Sequence, residues 1–149
     1  MIELKGEARE VALAEAQAVL AMARDDGMRA RLAELVSAID SGSVDGDSEE
    51  LLEQVLELGL QAGRVRAHYG PGGEQAALSI LRRLPHGRAR TASARDVSEA
   101  LRALDGTTLE RVAITAVAPG TYSLSIQAGG LEASVRLDTS GARLVSLAT

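Results

Sequence analysis

Cysteine is absent from this 149-residue chain, which removes thiolate nucleophiles, cysteine-ligated zinc and redox pairs from its chemistry. Phenylalanine and tryptophan are also missing, so the two tyrosines, Tyr69 and Tyr122, are the only aromatics. The core must therefore be built from Leu, Val, Ile, Met and Ala, and no base-stacking platform or aromatic cage can be assembled. There is one lysine, Lys5, beside fifteen arginines, and with the abundant alanine this looks like a GC-rich, bacterial coding sequence. No apolar run approaches membrane-spanning length, and the opening MIELKGEARE is acidic where a signal or transit peptide would be basic. The expectation is a cytoplasmic protein with no membrane partner.

The net charge of −5 is unevenly spread. Residues 1–62 carry −9, residues 63–95 carry +6 and residues 96–149 carry −2. An acidic and a basic segment within one chain of this size are expected to neutralise each other before they recruit an outside partner.

The densest apolar patterning runs from Asp47 to Leu84. At a helical period, Leu51, Val55, Leu58, Ala62, Val65 and Tyr69 form one stripe, while Leu52, Leu56, Gly59, Gly63 and Ala67 form another. The spacing predicts a central helix over residues 48–69 that needs cover on two sides, with its closest contact along the row Gly59, Gly63 and Ala67. Gly70, Pro71, Gly72 and Gly73 then turn the chain into a shorter helix carrying Ala77, Leu78, Ile80, Leu81 and Leu84, closed by Pro85, so the pair reads as an αα-hairpin.

Before it, an Ala-rich helix is expected from Glu7 to Arg24 and a second one over Met28–Ile39, with Leu32, Leu35, Val36 and Ile39 inward. Residues 1–5 could be a strand or a loose end. Ser41–Glu50 reads as a loop, and its carboxylates do not match an EF-hand, because the twelfth position falls on Leu52. Asp47 with Glu50 instead suggests a capping box. After Pro85, residues 86–92 read as a basic connector, and Ser93 with Asp96 as a second capping box opening a helix with Val97, Leu101 and Leu104 inward.

Beyond Thr107 the apolar period falls to two. Val112, Ile114 and Ala116, then Tyr122, Leu124, Ile126 and Ala128, then Leu131, Ala133, Val135 and Leu137 alternate with polar residues, and a fourth strand follows over Ala142–Ala148. Short Gly- and Pro-containing turns separate them. The fold class is α+β: N-terminal helices over residues 1–46, then residues 47–149 with a central αα-hairpin and a helix packed on a four-stranded antiparallel meander, the whole forming one unit. A helix followed by four meandering strands resembles the cystatin-like architecture, in topology alone.

Catalytic motifs are missing: there is no G-x-S-x-G, Walker loop or H-E-x-x-H, so no catalytic or metal-ligating set and no cofactor is assigned. The candidate ligand site is an anion cradle at the glycine turn, using Gly72 and Gly73 with Arg64, Arg66, His68 and Arg82. Arg66 falls between the two apolar stripes, and three explanations compete: the helix ends early, Arg66 pairs with an acid between Glu3 and Asp40, or it holds an anion. The pairing is preferred because the N-terminal acids are so numerous. Arg82, Arg83, Arg88, Arg90 and Arg95 could track phosphates, but an acidic chain without stacking aromatics argues against nucleic acid. The functional expectation is a non-enzymatic protein-interaction or regulatory module, a homodimer assembled through its helices, with the anion binder as the alternative.

Overall fold

Residues 1–149 are described by a computed structural model. Helix α1, Gly6–Met22, buries Val11, Ala12, Glu15 and Ala16, the one-turn spacing its alanine-rich sequence provides. Helix α2, Asp26–Ser41, starts where the Asp25 carboxylate accepts the Met28 N–H at 2.8 Å, and it stops at Gly42 in the left-handed region (φ 92°). Its Leu32, Leu35 and Ile39 are fully buried. Arg9 of α1 reaches that end of the helix, donating to Ile39 O at 3.2 Å and to the Asp40 carboxylate at 2.9 Å. The ends of this helical pair are tied by a small sheet: β1 (Ile2–Glu3) pairs antiparallel with β2 (Ser43–Val44), so residues 1–5 are not a loose end.

Helix α3, Asp47–Gln61, is the centre of the first unit. Leu51, Leu52, Val55, Leu56 and Gly59 are all buried, with α1, α2 and α4 packed around them, while Leu58 of the first stripe stays 48% exposed. It ends eight residues before the expected position. Gly63 takes φ +73°, and its N–H returns to Leu60 O at 3.1 Å, a left-handed glycine stop in mid-pattern. The hairpin therefore turns at Ala62–Gly63, into helix α4, Arg64–Arg83. The expected turn at Gly70–Gly73 is instead a break within α4, confined to Gly70 (φ 67°, ψ −166°). No capping box forms at Asp47 and Glu50; Gly46 stands at the cap without a side-chain bond, and Glu49 lies 2.7 Å from the Met1 amino group.

Of the row Gly59, Gly63 and Ala67 expected to make close contact, only Gly59 does so, and Ala67 is exposed. A Cβ at Gly59 would stand 2.9 Å from Glu15 Cδ and 3.1 Å from Val65 Cγ2, whereas at Gly63 it would meet nothing within 4 Å. The demand at Gly63 is its dihedral angle and not its packing. Alanine in a helix interior normally stabilises by about 1 kcal/mol relative to glycine, but the Glu15 carboxylate is pinned at 2.9 Å to Arg64, so we expect Gly59→Ala to destabilise by about 1–2 kcal/mol. Urea denaturation checks this, and a variant as stable as the parent would show that Glu15 can swing aside.

Helix α5, Pro85–Leu101, begins where a connector and a second capping box were expected. Pro85 occupies the first helical position, for which its fixed φ is suited. Glu53 of α3, 1% exposed, supplies the cap from a distance: its carboxylate accepts the Gly87 N–H at 3.2 Å and the His86 N–H at 3.4 Å, and lies 2.8 Å from His86 Nδ1. Ser93, inside the helix, bonds back to Arg90 O at 3.0 Å. Gly87 lies against the end of α4, where a Cβ would collide with the Leu81 carbonyl oxygen and stand 2.6 Å from the Leu81 carbonyl carbon.

The chain divides into two compact units, Met1–Gly87 and Arg88–Thr149, and not at residue 46, because α1 and α2 share one core with α3 and α4. In the second unit a short 3-10 turn, Arg102–Leu104, leads into strands β3 (Leu109–Ala118), β4 (Thr121–Ala128), β5 (Leu131–Asp138) and β6 (Gly141–Ala148). They form an antiparallel sheet in the order β3-β4-β5-β6. Each connection is a two-residue hairpin, and Gly129–Gly130, both at positive φ, meets the requirement of a type I′ turn. Thus the fold is α+β, five helices followed by a four-stranded meander, with a two-stranded sheet at its start.

Candidate interaction surface

Register sorts the sheet into two faces. Val112, Ile114 and Ala116 pair with Ile126, Leu124 and Tyr122, which pair in turn with Ala133, Val135 and Leu137, so these side chains share one apolar face. The opposite face carries Arg111, Thr115, Ser123, Ser125, Gln127, Glu132, Ser134, Arg136 and Arg143. A bulge between Ser134 and Val135 puts Val145 out of register, which explains the weak alternation of β6.

Four strands at ~4.8 Å spacing make a sheet about twice as wide as one helix, so a single helix cannot cover the apolar face. Burial follows that limit. Ala128, Ala133 and Val135 are buried, and so is Val97 of α5. Towards β3 the face is open: Leu109 is 60% exposed, Val112 52%, Ile114 64% and Tyr122 45%. Strand β3 is also a sheet edge, ten residues long, and from Val112 to Ala118 it carries no charge and no proline. Edge strands are ordinarily guarded by such residues.

The anion site expected at the glycine turn does not assemble. Arg64 turns to Glu15 at 2.9 Å, a pair in which the glutamate is 4% exposed, and its own Nε is buried without a partner. Arg66 is exposed, 3.9 Å from Glu74, and has no partner between Glu3 and Asp40; the early end of α3 at Gln61 frees it, the first of the three explanations above. His68 and Arg82 are exposed. Gly72 has the Glu7 carboxylate 3.3 Å from its Cβ position, which places negative charge where an anion would have to sit. Gly73 is buried for packing, with Tyr69 Cγ and Val11 Cγ2 at 3.1 and 3.6 Å from its Cβ position. Sequence proximity gathered these residues; space distributes them around α4.

The helical unit has an apolar cleft of about 230 Å³, lined by Val19, Met28, Leu32, Leu51, Val55 and Leu58 with Gln54, and a polar one of about 600 Å³ around Lys5, Arg9, Asp40 and Ser43. No group of three or more His, Asp or Glu side chains is arranged to hold a metal ion, and no helix is long and apolar enough to cross a membrane. Compared with known proteins, the chain matches no protein family, no curated protein and no solved structure. The functional reading therefore rests on geometry. The open β3 side is the feature that sequence reasoning passed over, although an uncharged seven-residue run on a terminal strand of a meander was a signal for it.

Proposed function

We propose that this chain is a non-enzymatic interaction module that works as a homodimer, with a second copy adding to the sheet along β3. The observation that supports it is the uncharged β3 edge from Val112 to Ala116, between the strand's two register shifts, beneath an uncovered strip of apolar side chains. The interface thus moves from the helices to the sheet. A helical dimer was expected because α3 has two apolar stripes; α1, α2 and α4 bury Leu51, Leu52, Val55 and Leu56 and leave Leu58 as the one large exposed side chain of those stripes on α3.

Geometry favours self-pairing. A two-fold axis normal to a sheet pairs an edge strand antiparallel with itself, and residues opposite each other then have an even sum of positions. Centred on Ile114, the register sets Ile114 against Ile114 of the second copy and Val112 against Ala116, so both apolar faces stay on one side and the meander doubles to eight strands. The unpaired N–H and C=O groups of β3 gain partners, and the exposed strip becomes continuous.

Light scattering on the full chain across micromolar concentrations is expected to give twice the chain mass. Ile114→Lys puts two ammonium groups opposite each other at the centre of the pair and should weaken the dimer by about 100-fold, or about 2.7 kcal/mol, with the fold intact by circular dichroism. Leu58→Glu, on the exposed side of α3, should leave the dimer unchanged. A monomeric parent, or a dimer broken by Leu58→Glu and not by Ile114→Lys, would overturn the reading.

A further inference from the structure

We propose that the polar face of the sheet is a binding site for a phosphate monoester, its phosphoryl group held between Arg136 and Arg143. This concerns the opposite face from the β3 strip and is independent of the dimer. Arg136 of β5 and Arg143 of β6 are direct cross-strand partners, so their Cβ atoms stand about 5 Å apart on the same face. Like charges placed opposite each other destabilise a sheet unless something negative lies between them. Neither carboxylate on this face fills that role. Asp138 is turned to its own hairpin, where it accepts the Ser140 N–H at 2.8 Å and the Ser140 hydroxyl. Those bonds, the hydroxyl's first, hold its carboxyl below the usual carboxylate range, with Arg143 contributing least. Glu132 lies four residues back along β5, two cross-strand rows away, opposite Gln127. Meanwhile the Arg136 Nε is buried with no hydrogen-bond partner, an unspent donor on a guanidinium whose fork suits an oxyanion.

The register continues this row across the sheet. Arg136 pairs with Ser123 of β4, and Ser123 with Thr115 of β3, so two hydroxyls follow the two guanidiniums in a line. Two fixed positive charges with hydroxyl donors beside them match a compact dianion; a carboxylate would neutralise only one of the two. Thr115 also belongs to the wall of a cleft of about 210 Å³ formed with Arg111, Ser125, Gln127 and Glu132 on the same face. That cleft provides a guanidinium, an amide, a hydroxyl and a carboxylate, the donor and acceptor set for a small polyhydroxylated body attached to the phosphate. The ligand class is thus a small phosphorylated metabolite.

Amide NMR of the full chain at constant ionic strength, with chloride replaced stepwise by inorganic phosphate and then by ribose 5-phosphate, tests the site. Saturable shifts are expected on Ser123, Arg136 and Arg143, extending to Ser125 and Gln127 only with the sugar phosphate, which should bind at least ~10-fold more tightly. Arg136→Gln and Arg143→Gln should each weaken binding of both probes by ~10-fold or more, Arg136→Lys should recover part of the loss, and Arg82→Gln, on α4, should change nothing. Arg143 is exposed on an edge strand, so its variant remains informative should Arg136→Gln fold poorly. Shifts that grow linearly without saturation, equal affinity in the parent and Arg143→Gln, or binding of a single-stranded oligonucleotide but of neither monophosphate would each overturn the proposal.

Discussion

Replacing Gly87 by alanine is expected to destabilise the helical unit by about 3 kcal/mol, although a methyl group at a helical glycine ordinarily adds about 1 kcal/mol of stability. The reason lies in what the methyl would strike. A Cβ at Gly87 meets the Leu81 carbonyl oxygen, the Leu81 carbonyl carbon at 2.6 Å and the Arg82 Cα at 3.0 Å, all of them main chain. A side chain can rotate away from such a clash, but the last turn of α4 can yield only by moving as a body. That turn carries Ile80 and Leu81 and is followed by Leu84, all buried in the core, so the displacement would spread into packed side chains. Chemical denaturation of the variant measures the loss. A midpoint within error of the parent would mean that α4 and α5 separate freely.

The second large effect is expected at Glu53. Truncation to alanine should cost about 3 kcal/mol, because the carboxylate is 1% exposed and is the acceptor for two main-chain N–H groups at the start of α5. Glu53→Gln retains one acceptor oxygen and loses the charge that favours a helix N-terminus, so about half that loss is expected. His86→Ala separates capping from ion pairing. The imidazole is 72% exposed, and its removal should cost under about 1 kcal/mol. Denaturant titrations of the three variants that gave the order His86→Ala worse than Glu53→Ala would place the energy in the imidazole contact and refute the distant cap.

How far the fold was legible depended on whether local pattern and tertiary position agreed. The central strands β4 and β5 agreed throughout, since alternation and the Gly129–Gly130 turn specify the same register, while bulges interrupt the pairing of β3 and β6. Helices α1 and α2 were likewise readable from their spacing. The end of α3 was not, because Val65 and Tyr69 continue the phase of Leu51, Val55 and Leu58 across the break, and nothing local says that Gly63 will turn left-handed. The start of α5 was hidden for a different reason: a basic, polar segment with a glycine reads as a connector, and its cap comes from Glu53, more than thirty residues earlier. The same holds for one member of the candidate anion site. Arg64 was taken by Glu15, forty-nine residues away, and no window along the chain shows that capture.

The meander has a consequence for how the molecule comes together. Every strand of the large sheet pairs with the next one along the chain through a two-residue connection, so no long segment has to be closed before its hydrogen bonds form. Hairpins of this kind appear within about 1–10 μs, and low sequence separation between contacts is the main determinant of rapid folding in small proteins. The opposite holds for the two-residue pairing of Ile2 with Val44, which closes a loop of about forty residues around α1 and α2. The slow step of assembly should therefore lie in the first unit, where little Ile2–Glu3 must wait for both helices before it has a strand to join.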